Sequence, residues 1–149
     1  VMAIKVIERE NVNLLELNDI FNTVFTSIIN EERQFIVICE KGILMGCSID
    51  DERSLIRLYQ SHKIENDAPP HKCIAFVNRW NNEKIVAKTM YKENQEDNDR
   101  FIAIEYDMSF DRGVIPYNLI KTIKWLLGIG SCMIDESVAV GIELKRLSV

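Results

Sequence analysis

Histidine, proline, glycine and cysteine are all scarce in this chain, which has two, three, six and four of them in 149 residues. Each shortage removes a class of chemistry. Structural zinc sites draw four ligands from Cys and His at tight spacings, and no C-x-x-C pair occurs. His62, His71 and Cys73 are the nearest approach to a ligand set, and His71-Lys72-Cys73 has no standard zinc spacing. The glycines form no phosphate cradle; neither G-x-G-x-x-G nor a Walker motif is present. Ser109 and Ser131 have no histidine near them in sequence, so no nucleophile–base pair can be nominated. Asp50-Asp51 and Glu31-Glu32 read as turn residues rather than paired catalytic carboxylates. Glu93, Glu96, Asp97 and Asp99 gather in one loop, but lack the glycine and closing glutamate of a calcium hand. The pattern contains no enzyme constellation and implies no cofactor or metal.

Long apolar runs are missing too. The best stretch, Trp125 to Ile134, falls well short of the ~18 residues that span a bilayer and carries two glycines. The first thirteen residues have no apolar core of the secretory kind. With scattered cysteines that suit reduced thiols, the expectation is a cytoplasmic protein. Net charge is -5, and no short window collects Lys and Arg without acids between them. Such a field repels nucleic acid and anionic membranes.

What is present is an ordinary globular composition, 47% hydrophobic and 28% charged. One domain over 1–149 of this length buries about 70% of its unfolded surface. Apolar residues at Leu14, Leu17, Phe21, Val24 and Ile28 recur every three or four positions, which predicts a helix over 14–29 with Asn11 or Asn13 as its cap. Strands are expected at 34–39, 43–49 and 55–62, joined by the Lys41-Gly42 turn and the polar Asp50–Arg53 turn. Pro69-Pro70 starts a second helix over 70–81, with Cys73, Phe76, Val77 and Trp80 on one face. Strands at 84–91 and 100–110 follow. Pro116 opens a third helix over 116–145, whose apolar stripe runs through Ile120, Ile123, Leu127, Gly130, Ile134, Val138 and Gly141. Gly128 and Gly130 each cost about 1 kcal/mol there relative to alanine, and a close approach by another element would justify them. The order α-β-β-β-α-β-β-α predicts an α+β fold, a five-stranded antiparallel sheet with helices segregated to one side. Its core is expected to include Phe21, Ile38, Phe76, Trp80, Ile104 and Ile123.

Two thiols look close enough to bond, since Cys39 and Cys47 fall on adjacent strands. A two-residue turn at Lys41-Gly42 pairs Cys39 with Leu44 and Cys47 with Ile36. The sulfurs then miss each other, and buried free cysteine is the expectation for both.

Two short patterns resemble a known family. Val77-Asn78-Arg79-Trp80-Asn81-Asn82-Glu83 is similar to an asparagine-containing helix end written V-N-x-x-N-x-E. Asp111-Arg112-Gly113-Val114, followed by Asn118-Leu119, is similar to the polar turn and helix start that come after two strands in the same family. That family is the YbjN type, labelled proposed bacterial sensory transduction regulators, with a type III secretion chaperone-like fold. The element order matches over roughly residues 12 to 135. The family often has two glycines before the valine, where this chain has Arg112-Gly113. The resemblance implies a non-enzymatic adaptor or regulator without cofactor, and a tendency to pair.

Three residues are candidate partner contacts. Asn78 and Asn81 lie three apart and so share a helix face, either as a recognition pair or as a helix end satisfying its own backbone. Trp125 lies about 140° from Ile120 at 100° per residue, which makes it an interface anchor or part of a second buried face. The expected partner is a protein, with a second copy of the chain as one candidate. The alternatives are a secretion-type chaperone holding an effector segment, an enzyme of unrecognised type and a nucleic-acid-binding regulator.

Overall fold

The computed structural model describes residues 5–84 and 87–146. After a short 3-10 turn at Arg9–Asn11 come α1 (Leu14–Asn22), β1 (Thr26–Asn30), β2 (Phe35–Glu40), β3 (Ile43–Asp50) and β4 (Leu55–Lys63). Then follow α2 (Pro70–Glu83), β5 (Lys88–Glu93), β6 (Arg100–Ser109) and α3 (Pro116–Ala139). All strand pairs are antiparallel, and the spatial order is β1-β2-β3-β4-β6-β5. The sheet thus has six strands rather than five. Expected strand 84–91 is observed from Lys88, and its residues 85 and 86 lie outside the described residues.

The extra strand comes from the C-terminal half of the expected first helix. Asn13 caps α1 as anticipated, its Oδ1 accepting from the Glu16 amide at 2.9 Å. The helix nevertheless stops at Asn22. Beyond it lies Thr23-Val24-Phe25-Thr26-Ser27-Ile28-Ile29, rich in β-branched residues that favour strands. Side chains of α1 then hold the reversed chain. Ser27 Oγ donates to Asn18 Oδ1 at 2.6 Å, and the Ser27 amide donates to Asn22 Oδ1 at 3.2 Å. Val24 and Ile28 kept a helical spacing by coincidence, and both are exposed.

The β2–β3 hairpin has the expected register. Lys41 and Gly42 both take positive φ, 50° and 78°, as a type I′ turn requires. Cys39 pairs with Leu44 and Cys47 with Ile36. All four cysteines are free; Cys47 is buried, but Cys39 is exposed, contrary to expectation. Strand alternation places it on the side opposite to Cys47.

One sheet face carries Ile36, Ile38, Met45, Cys47, Ile56, Leu58, Ile102 and Ile104, all buried beneath the three helices. The six anticipated core residues are at most 3% exposed. On α3 the buried stripe runs through Leu119, Ile123, Leu126, Gly130, Met133 and Ser137. Val138 falls at its margin and is exposed. The helix ends at Ala139, not 145, because Gly141 terminates it: with φ 80°, it lets Ile142 N–H reach Ser137 O at 3.0 Å and its own N–H reach Val138 O at 3.0 Å. This pairing is a Schellman cap. The chain then returns beside β4, where Leu144 bridges Ile64.

Gly130 does allow a close approach. The Gln60 side chain occupies the space where a Cβ would stand. Its Nε2 donates to the Leu126 carbonyl at 2.7 Å, which leaves Oε1 to accept from His62 Nε2 at 2.8 Å. This buried amide–imidazole pair ties α3 to β4. Gly128 has no such role, since a Cβ there would meet nothing within 4 Å.

Candidate partner-binding surface

Helices cover one face of the sheet, and the other face is open. Register brings Ile28, Val37, Gly46 and Tyr59 into one cross-strand row over β1 to β4. At the usual strand spacing this row is about 14 Å long. Thr26, Cys39 and Leu44 form the row beside it. Ile28 is 68% exposed and Leu44 45%, while Val37 and Tyr59 are half-buried. Gly46 is part of the design of this face: the Tyr59 ring lies across it, and a Cβ would overlap the ring. Burial, and secondarily Cys47, raises the Tyr59 phenol above its ordinary pKa, so it is neutral at physiological pH.

The remaining part of the open face has a different character. Over β4, β6 and β5 it carries the ion pairs Arg57–Asp107 (3.6 Å) and Lys92–Glu105 (3.5 Å). Pairs this exposed are worth about 0–1 kcal/mol and mark a solvated surface. Lysines along β5 also protect that sheet edge from foreign strands. The open face is therefore apolar from β1 across to Tyr59 on β4, and carries its ion pairs over the rest of β4, β6 and β5. A signal for the apolar half was present in Phe35-Ile36-Val37-Ile38-Cys39, an unbroken apolar run where a strand with one wet face would alternate.

The three candidates read from sequence do not form one site. Asn81 uses both ends of its amide within the fold. Its Nδ2 donates to the Thr89 carbonyl at 2.8 Å and its Oδ1 accepts from the Thr89 amide at 2.9 Å. It thereby completes the outer edge of β5 as a neighbouring strand would. Asn78 is exposed on α2. Trp125 is 43% exposed on α3, and its ring meets Tyr106 edge-on at 6.0 Å between centroids. That geometry fixes the indole while leaving much of it in water. Gly130 faces Gln60 and Gly141 caps the helix, whereas Gly128 has no such role.

The groups with strongly shifted pKa values lie in the core. Burial pushes the Cys47 thiol up to about 12 and pulls the His62 imidazole down to about 4. Neither lines the pocket between Leu14 and Ile49 or the one between Ile43 and Leu127. Among the described residues, no three His, Cys, Asp or Glu side chains group as a metal site. No helix among them is long and apolar enough to cross a membrane.

These features define an α+β protein with a one-sided helical layer and an open, half-apolar antiparallel sheet. The arrangement is a YbjN-type fold. The crystal structure of YbjN from E. coli, described as a proposed transcription regulator, matches with a TM-score of 0.74 at 15% identity, over 91% of this chain and 97% of that one. No family model and no curated protein matches the sequence.

Proposed function

We propose that this protein is a non-enzymatic adaptor or regulator that works by binding another protein. The observation that carries the reading is the apolar half of the open face, where Ile28 and Leu44 stand exposed beside Val37 and Tyr59. Contiguous exposed apolar surface of this kind, rimmed by charge, is typical of protein contact sites. The YbjN-type fold supports a regulatory role, and the net charge of -5 favours a protein target over nucleic acid.

The test is affinity capture from the native cell with wild type and with Ile28→Asp/Leu44→Asp. Ile28 is 68% and Leu44 45% exposed, so the variant should stay folded, with a modestly lower melting temperature. The wild type should retain a stoichiometric protein partner that the variant loses. Equal capture by both would refute the open face as the contact.

Trp125 is proposed to meet a second copy of the chain, with Asn78 left as a peripheral contact of α2. A half-exposed indole held by Tyr106 is a suitable anchor for such an interface. Sedimentation at micromolar concentration should give a dimer for wild type and a folded monomer for Trp125→Ala. A wild-type monomer under those conditions would reject the pairing.

A further inference from the structure

A pocket of about 650 Å³ is lined by neither Trp125 nor the apolar residues of the open face. Its walls come from the α1–β1 turn, the β2–β3 hairpin, α3 and the C-terminal return. Phe25, Ile43 and Leu127 form a buried apolar floor, with Val24 at the margin. Lys41, Lys124 and Arg146 stand around it, against Glu40 as the acid in the lining. In a chain of net charge -5, this is a local inversion of sign.

The cations are arranged, not merely near. Arg146 Nη2 donates to Ser131 Oγ at 3.0 Å, and the same nitrogen lies 3.8 Å from Asp135 Oδ1. The guanidinium is thus held against α3. Lys124 is two turns earlier on the same stripe, about 10 Å along the axis. Lys41 projects from the hairpin opposite. Lys41 and Lys124 make no ion pair among the described residues.

Between Lys124 and Ser131 sits Gly128, also in the lining. Packing does not require a glycine here, because a Cβ would meet nothing within 4 Å. Helix propensity disfavours it. The missing side chain does one visible thing: it keeps the wall between the two cations open above the apolar floor.

We propose that this pocket binds a small amphipathic anion, a single carboxylate or phosphate head on an apolar chain. The head sits between Lys124 and Arg146, and the chain covers Phe25, Ile43 and Leu127. The volume is within the range of about 300–1,000 Å³ found for small-molecule sites. Charge-assisted hydrogen bonds from Lys and Arg favour the anion over a neutral analogue.

Titration of the full chain with octanoate, octyl phosphate and octanol, followed by amide NMR shifts and calorimetry, tests this. At least one anion should bind saturably, shifting Lys41, Gly128 and Ser131, and the tighter one identifies the head. Octanol should bind about tenfold more weakly or not at all. Lys124→Gln should weaken the anion about tenfold. Gly128→Leu should abolish binding while leaving the protein as stable or more so, since leucine is the better helix former. No saturable binding of either anion, equal affinity for octanol, or wild-type binding by Gly128→Leu would each overturn the proposal.

Discussion

Acidification from about pH 7.5 to pH 4 is expected to remove about 3 kcal/mol of stability through His62 alone. In the folded chain its pKa falls from 6.5 to about 4, first because burial disfavours the charged imidazole, and second because Arg146 repels it. The unfolded chain therefore takes up the proton first. Stability from this group is complete above the unfolded pKa and is lost as pH falls through the window from 6.5 towards 4. His62 Nε2 already carries the proton donated to Gln60 Oε1, so the added proton goes to Nδ1 of the buried ring. Denaturation of wild type and His62→Leu across this range measures the effect. The difference between the two curves should shrink or reverse on acidification by about 3 kcal/mol. Parallel curves would show that His62 titrates normally.

Phe76→Ala is expected to cost about 3–5 kcal/mol, the usual range for deleting a buried phenyl ring. Phe76 is 3% exposed on α2 and packs against Trp80, with ring centroids 6.2 Å apart. The Arg79 guanidinium lies over its ring, 5.6 Å from the centroid. Removing the ring leaves a cavity between α2 and the β5–β6 side of the sheet. It also frees Trp80, whose helix supplies the Asn81 contacts that close the β5 edge. Urea denaturation should show the loss as a lower midpoint with an unchanged slope. A loss below about 1 kcal/mol would mean that α2 is only loosely docked.

Much of this architecture was legible where local pattern and tertiary demand agree. The Lys41-Gly42 turn fixed the β2–β3 register because a two-residue turn leaves the pairing no freedom. Pro70 and Pro116 marked helix starts for the same kind of reason, as neither position needs its N–H. The failure at 23–30 has an equally specific cause. Phe21, Val24, Phe25 and Ile28 suit a helix by spacing alone, and only the β-branched run beneath them pointed to a strand. Gly141 was placed on a helix stripe although glycine after a periodic run is more often a stop. The candidate surface was less legible. Trp125 could be located by its angle on α3, but the apolar row from Ile28 to Tyr59 depends on a strand the periodicity concealed. Asn81 illustrates the opposite limit, because its partner is the backbone of Thr89 and no side-chain pattern encodes it.

The central claim is that a protein partner docks on the apolar half of the open face, and the chain carries reporters for it. Cys39 is exposed on that face and Cys132 on α3, one heptad beyond Trp125 and so on its side of the helix. Cys47 and Cys73 are buried, and burial raises both thiols above their ordinary pKa, which keeps them slow. Maleimide labelling resolved by peptide mass, with and without the captured partner, reads both surfaces at once. In the free protein Cys39 should label quickly, and Cys132 more slowly because it lies on the side of α3 that meets a second copy. In the complex the account predicts that Cys39 becomes protected while Cys132 labels at its free rate. Labelling of Cys39 at an unchanged rate in a saturated complex would contradict it, as would protection confined to Cys132.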